Sequence, residues 1–201
     1  MKKILIKFYL WYLRLFAKIQ LRKINPTIVG VGGSSGKSST AFIISKILDT
    51  KYKVKQGKGK NSETGIPLNI LDIDNSEYTF FGWIKIIFLA PWKALTNYKK
   101  YDFLVVEMGI DSPFAPKNMD YLLKIVQPKT GVLTNISLEH SVNFNPLVSA
   151  EAELQREKEI LNLTAKEEGL LLKSIPESGR SVLNIDNHYI KQLLPLKSKT
   201  V

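Results

Sequence analysis

Short apolar runs of strand length alternate along this chain with stretches of helical spacing. Pro26-Thr27-Ile28-Val29 has the composition of a buried strand, and Ala41, Ile43, Ile44, Ile47 and Leu48 then recur at a helical period. Residues 101–109, 130–136 and 181–186 are further apolar runs, and residues 148–173, rich in Ala, Glu, Leu and Lys, read as helix. Strands separated by helices predict an α/β fold, with a mostly parallel, doubly wound sheet and helices on both faces. Two other segments are apolar and aromatic. Residues 4–17 are interrupted by Lys7 and Arg14, and residues 80–90 end at Pro91-Trp92. Each is shorter than the roughly 20 residues that a spanning helix needs. The first, residues 1–25, is expected to be an amphipathic helix that either packs on the body or lies on a membrane surface. The second makes peripheral membrane contact a shared expectation for both.

Composition narrows the partners more than the fold. At 201 residues the chain can bury one substantial core, and no repeat or linker divides it. It has no cysteine, which excludes disulfides and thiolate metal sites and suits a reducing compartment. Its two histidines, His140 and His188, make a histidine-built zinc site an unpromising reading. The net charge of +11 favours anionic partners. The basic residues are dispersed and form no recognised nucleic-acid module, so nucleic acid is not expected as a partner. A cytoplasmic protein is expected, peripheral to a membrane if the aromatic segments lie on one.

The chemistry concentrates in residues 30–40, Gly-Val-Gly-Gly-Ser-Ser-Gly-Lys-Ser-Ser-Thr. A glycine- and serine-rich bend between a strand end and a helix start is where free N–H groups and the helix dipole favour phosphate. The spacing is a shortened Gly-x-x-Gly-Lys-Ser form running from Gly33 to Ser38, since Val31 stands where the longer pattern has its first glycine. Gly33, Ser34, Ser35, Gly36, Lys37, Ser38 and Ser39 are therefore the candidate phosphate-binding residues. Lys37 can reach the terminal phosphates, and the Ser38 hydroxyl can ligate magnesium. A chance loop of the same composition is the alternative, and the flanking strand and helix argue against it. Two further polar features close apolar strands: Glu107, and Asn135 with His140 beyond it. Ligands of open α/β sheets collect at such ends. Glu107 is either a second anchor for nucleotide-bound magnesium or a solvated acid, and His140 on its own reads as a loop residue.

Five blocks in order resemble the Mur ligase family, over residues 26–190. They are the loop itself; Asn61-Ser62-Glu63-Thr64-Gly65-Ile66-Pro67-Leu68; Val105-Val106-Glu107-Met108-Gly109; residues 128–136 with His140; and Val182-Leu183-Asn184-Ile185-Asp186-Asn187. Within the family the blocks are most similar to the branch that adds D-alanyl-D-alanine. The resemblance implies a central ATP-binding domain at 26–190, followed by a tail at 191–201. It implies an ATP- and Mg2+-dependent ligase of peptidoglycan precursor synthesis, which makes an amide bond through an acyl phosphate. The substrates it implies are a UDP-linked muramoyl peptide and an amino acid or dipeptide. By the same resemblance Lys37, Glu107, His140 and Lys158 are catalytic, and Ser38, Glu107 and His140 hold metal. Asn184 and Asp186 contact the nucleoside, while Asn61, Ser62 and Thr64 line the substrate side.

The chain departs from the family in two respects. A lysine, often carbamylated, supports the second magnesium in family members. Lys158 has the better local context for it and Lys166 the poorer, and either reads equally as an ordinary solvated lysine. Family ligases also carry domains on both sides of the ATP-binding one, so this chain is expected to be a fragment or to be completed by a separate chain. A folate-type polyglutamate ligase and a nucleotide-binding module without ligase activity are the competing readings.

Overall fold

A computed structural model describes residues 2–57, 59–74, 79–139, 141–150 and 152–201. The apolar runs that begin near Pro26 and Tyr101 become the central strands. Thr27–Gly32 (β1) and Phe103–Glu107 (β3) lie side by side in the interior, buried on both faces, which is why they read as continuous rather than alternating hydrophobic stretches. Val54–Gln56 (β2) flanks β3, and Thr130–Leu133 (β4), Arg180–Leu183 (β5) and Lys199–Thr200 (β6) extend the sheet from the other side of β1. The order is β2-β3-β1-β4-β5-β6 and every pairing is parallel. Connections from β1 run towards β2, while those from β4 run towards β6. The sheet therefore changes winding direction between β1 and β4, and a crevice opens at their carboxyl ends.

Helices cover both faces. Lys37–Asp49 (α2) lays Ala41, Ile44 and Leu48 over Val29, Val31, Val105 and Val132 on one face. On the other, Ile28, Leu104, Val106 and Met108 meet Lys2–Ile24 (α1), Gly65–Ile70 (α3), Met119–Leu123 (α5) and Leu170–Ser174 (α7) through Ala17, Ile66, Ile70, Leu122 and Leu171. Glu153–Glu168 (α6) and His188–Lys191 (α8) close the β4–β5 end around Leu133, Ala165, Leu183 and Ile190.

Phe80–Thr96 (α4) packs on α1 and α3 through Ile86, Ala90 and Ala94, against Tyr9, Leu13, Leu68 and Leu71. It does not stop at Pro91, where the sequence pattern ends the segment. A proline cannot donate to the carbonyl four residues back, here that of Ile87. That carbonyl instead accepts the Tyr12 hydroxyl of α1 at 2.7 Å, so the helix continues for another turn.

Residues 191–201, read as a tail, contain β6. Lys55 on β2 is largely buried and pairs with Asp72 at 2.6 Å, fixing the edge strand to the end of α3.

Candidate functional site

The carboxyl end of β1 leads directly into the bend at residues 33–36. Gly33 has φ of 119° and Gly36 of 78°, a region in which any side chain is strained. A Cβ at Gly33 would also collide with the Thr134 hydroxyl. Gly36 precedes α2 and Lys37 begins it, so first-turn N–H groups without helical acceptors border the bend.

The end of β4 clamps the bend from the side. Asn135 accepts the Ser35 N–H on Oδ1 at 2.8 Å and donates from Nδ2 to Ser35 Oγ at 2.7 Å. Its main-chain carbonyl accepts the Ser34 N–H at 2.9 Å. The Thr134 hydroxyl donates to the Ser35 carbonyl at 2.6 Å, and the Ser34 hydroxyl accepts the Ser137 N–H at 2.9 Å. The bend is thus held by side chains of the neighbouring strand rather than by its own sequence alone.

Two candidate metal ligands meet beneath it. The parallel register sets Val31 opposite Glu107, which brings the acid closing β3 to the first turn of α2. There the Ser38 hydroxyl donates to Glu107 Oε2 at 2.8 Å, and Glu107 is only 3% exposed. The Lys37 ammonium, one residue earlier, folds over the bend and donates to the Gly33 and Ser34 carbonyls. A cation, free N–H groups and a hydroxyl–carboxylate pair therefore stand within one short stretch. Such a set can hold a polyphosphate with a hard divalent cation, which takes oxygen ligands and few of them from protein. Among the described residues no three His, Asp or Glu side chains converge.

The other candidates are distributed around this centre. The Asn61 carbonyl accepts the Gly109 N–H at 3.1 Å, which seats residues 61–64 against the chain just beyond Glu107. Ser62 Oγ accepts the Gly65 N–H at 3.1 Å and lies 3.3 Å from the Thr64 hydroxyl. Asn184 and Asp186 are exposed on the turn after β5, one strand beyond β4, and Asn184 Oδ1 accepts the Asp186 N–H at 3.1 Å. Ser39 is exposed on α2. His140 lies outside the described residues.

Lys158 and Lys166 are both exposed on α6. The group of that helix that reaches the bend is Glu168, which sequence reasoning missed. Its Oε2 accepts the Gly33 N–H at 3.0 Å, and the residue is 2% exposed. Burial pushes its carboxyl up to about 7, although the Gly33 N–H and the Lys37 charge pull the other way and Glu167 adds to the rise. A signal was available in the chain. Ile160, Thr164 and Glu168 form one inward stripe at four-residue spacing, and an acid closing such a stripe is out of place unless it has a polar partner.

Comparison with known proteins bears on the fold and the family. No family model matches the chain. A UDP-N-acetylmuramoyl-tripeptide–D-alanyl-D-alanine ligase from Bacillus subtilis is 30% identical over 171 residues, which are 84% of this chain and 30% of the relative. The ligase of the same name from Mycobacterium bovis is 26% identical over 176 residues, 87% of this chain and 26% of that one. Among solved structures, MurF from Thermotoga maritima in complex with ADP superposes with a TM-score of 0.61 at 25% identity, over 94% of this chain and 36% of that one. MurF from Acinetobacter baumannii gives a TM-score of 0.64 at 17% identity, over 96% and 34%. The chain spans about a third of the length of these proteins.

Proposed function

The chain belongs to the Mur ligase family, and from that premise we propose that residues 26–190 form the ATP-binding domain of an ATP-dependent carboxylate–amine ligase of peptidoglycan precursor synthesis. Residues 1–25 add helix α1, which covers one face of the sheet, and residues 191–201 add the edge strand β6. The observation that carries the reading is the Ser38–Glu107 contact of 2.8 Å directly under a glycine bend that also bears Lys37.

In this reading the bend N–H groups and Lys37 bind the β- and γ-phosphates of ATP. Lys37 leaves the Gly33 and Ser34 carbonyls to do so, and offsets the charge that builds on the transferred phosphoryl group. Ser38 and Glu107 would hold Mg2+, which supplies charge neutralisation at the phosphates. The substrate carboxylate takes the phosphoryl group to give an acyl phosphate, and the incoming amine displaces phosphate from it. Asn61, Ser62 and Thr64, seated beside the end of β3, orient the carboxylate substrate. Asn184 and Asp186 contact the nucleoside across β4. His140 and Lys158 are proposed to support the metal nearest the carboxylate. The proposed substrates are a UDP-linked muramoyl peptide and D-alanyl-D-alanine or a related amine.

Phosphate release from ATP, with and without a UDP-muramoyl tripeptide and D-alanyl-D-alanine, tests the assignment. Turnover that needs all three substrates is expected of the assembly that includes the flanking domains, and Lys37→Ala should lower it by at least about 100-fold, because no other side chain of the bend carries that charge. ATP bound with no substrate-stimulated turnover would leave a nucleotide-binding module. Unchanged turnover in Lys37→Ala would overturn the site.

A further inference from the structure

Helices α1 and α4 each carry two apolar stripes, one facing inward and one exposed. Tyr9, Leu13 and Ala17 of α1, with Ile86, Ala90 and Ala94 of α4, face inward. A second stripe on α1 consists of Ile4, Phe8, Trp11, Leu15 and Ile19, spaced three or four residues apart, and all five are exposed. On α4 the corresponding outer stripe is Phe81, Ile84, Phe88, Trp92 and Leu95, again all exposed. Phe81 is 80% accessible, Phe88 72%, Trp92 63% and Phe8 60%, values that water-facing helix positions rarely give to aromatic side chains. The stripes meet along the seam between the helices, where the exposed Tyr12–Ile87 hydrogen bond joins them and Phe8 packs on Trp11 and Tyr12.

Charge selects the occupant of this face. Over Lys2–Ile24 the sequence has seven basic residues and no acidic one, and over Phe80–Thr96 two basic and none acidic. A second copy of the chain meeting this face symmetrically would set basic residues against basic residues. An anionic bilayer complements both features, since tryptophan and phenylalanine enter the headgroup–acyl boundary while lysine stems extend to the phosphates. Among the described residues no helix is long and apolar enough to cross a membrane. We propose that α1 and α4 lie together in the plane of an anionic lipid surface and hold the protein there. The docked pair would also support the proposed substrate side, because Leu68 of α3 packs beneath Tyr9 and Leu13, and α3 starts directly after Thr64.

Flotation of the whole chain with vesicles of phosphatidylcholine and phosphatidylglycerol, against phosphatidylcholine alone, tests this without reference to ATP or turnover. Co-flotation with the anionic vesicles at low salt is expected, together with a blue shift of tryptophan emission. Phe81→Ser combined with Phe88→Ser should weaken binding by about tenfold or more with an unchanged circular dichroism spectrum. Lys85→Glu combined with Lys93→Glu should remove the preference for anionic lipid while leaving weak binding. Failure to float with anionic vesicles at low salt would overturn the proposal. So would a discrete dimer in lipid-free solution that the Phe81/Phe88 pair of substitutions dissociates.

Discussion

At the scale of single residues, the bend works through atoms that it borrows. Ser35 is held by Asn135, and Gly33 gives its N–H to Glu168, so a strand and a helix distant in sequence set the conformation of a short loop. Glu168 has a measurable consequence. Its carboxyl titrates at about 7 in the folded protein against 4.5 ordinarily, chiefly because it is buried. Between those values the folded state binds more protons than the unfolded one, so stability present below pH 4.5 is lost as the pH rises through about 7. Glu168→Gln retains an acceptor for the Gly33 N–H but carries no titrating proton. Urea denaturation at pH 5 and pH 8 should therefore show a fall for the parent protein, up to about 3 kcal/mol from this group, and a smaller fall for the variant. Equal falls would mean that another group carries the pH dependence. The glycines and Lys37 of the bend were legible in the chain because their chemistry is local. Glu168 was less so, since whether it or Glu167 turns inward depends on the packing of α6. For the same reason the sequence context that favours Lys158 says nothing of its exposed position on that helix.

At the scale of elements, the central strands were readable because burial on both faces leaves an uninterrupted apolar run. The short edges, β2 and β6, were not. With three and two residues they carry no periodicity, and they exist because a neighbouring strand offers hydrogen bonds. Helix α4 was misjudged at its end for a related reason: the local rule for proline was outweighed by a tertiary partner. Tyr12 stands in for the N–H that Pro91 lacks, which a double-mutant cycle can test. Tyr12→Phe should cost about 0.5–1 kcal/mol by leaving the Ile87 carbonyl without its donor, at the low end because the contact is partly open to water. Pro91→Ala restores a helical N–H to that carbonyl. In the Pro91→Ala background the Tyr12→Phe cost should shrink towards zero, and the difference between the two costs is the coupling. No coupling in thermal or urea denaturation would mean that the two groups act independently.

At the scale of the whole molecule, the site exists only when four separate regions are assembled. The loop after β1, the end of β3, the end of β4 and the last turn of α6 converge at the crevice where the sheet changes winding direction. None of these regions can form the site when unfolded, so a ligand that bridges them binds the native state alone and raises its stability by mass action. A non-hydrolysable ATP analogue with magnesium, at about 100 times its dissociation constant, should add about 2.7 kcal/mol. For a domain of this size that is a rise in Tm of roughly 5–10 °C. The loss of function in variants can be located by the same measurement. Lys37→Ala should keep the ligand-free Tm within a few degrees, because its two bonds to loop carbonyls are partly exposed, and should abolish the shift. Glu107→Gln keeps an acceptor for the Ser38 hydroxyl but weakens a metal ligand. Its shift should fall with magnesium present and match the parent protein when magnesium is chelated. A Glu107→Gln shift as large as that of the parent in magnesium would remove Glu107 from the metal site, while leaving the role of Lys37 to stand or fall on its own variant.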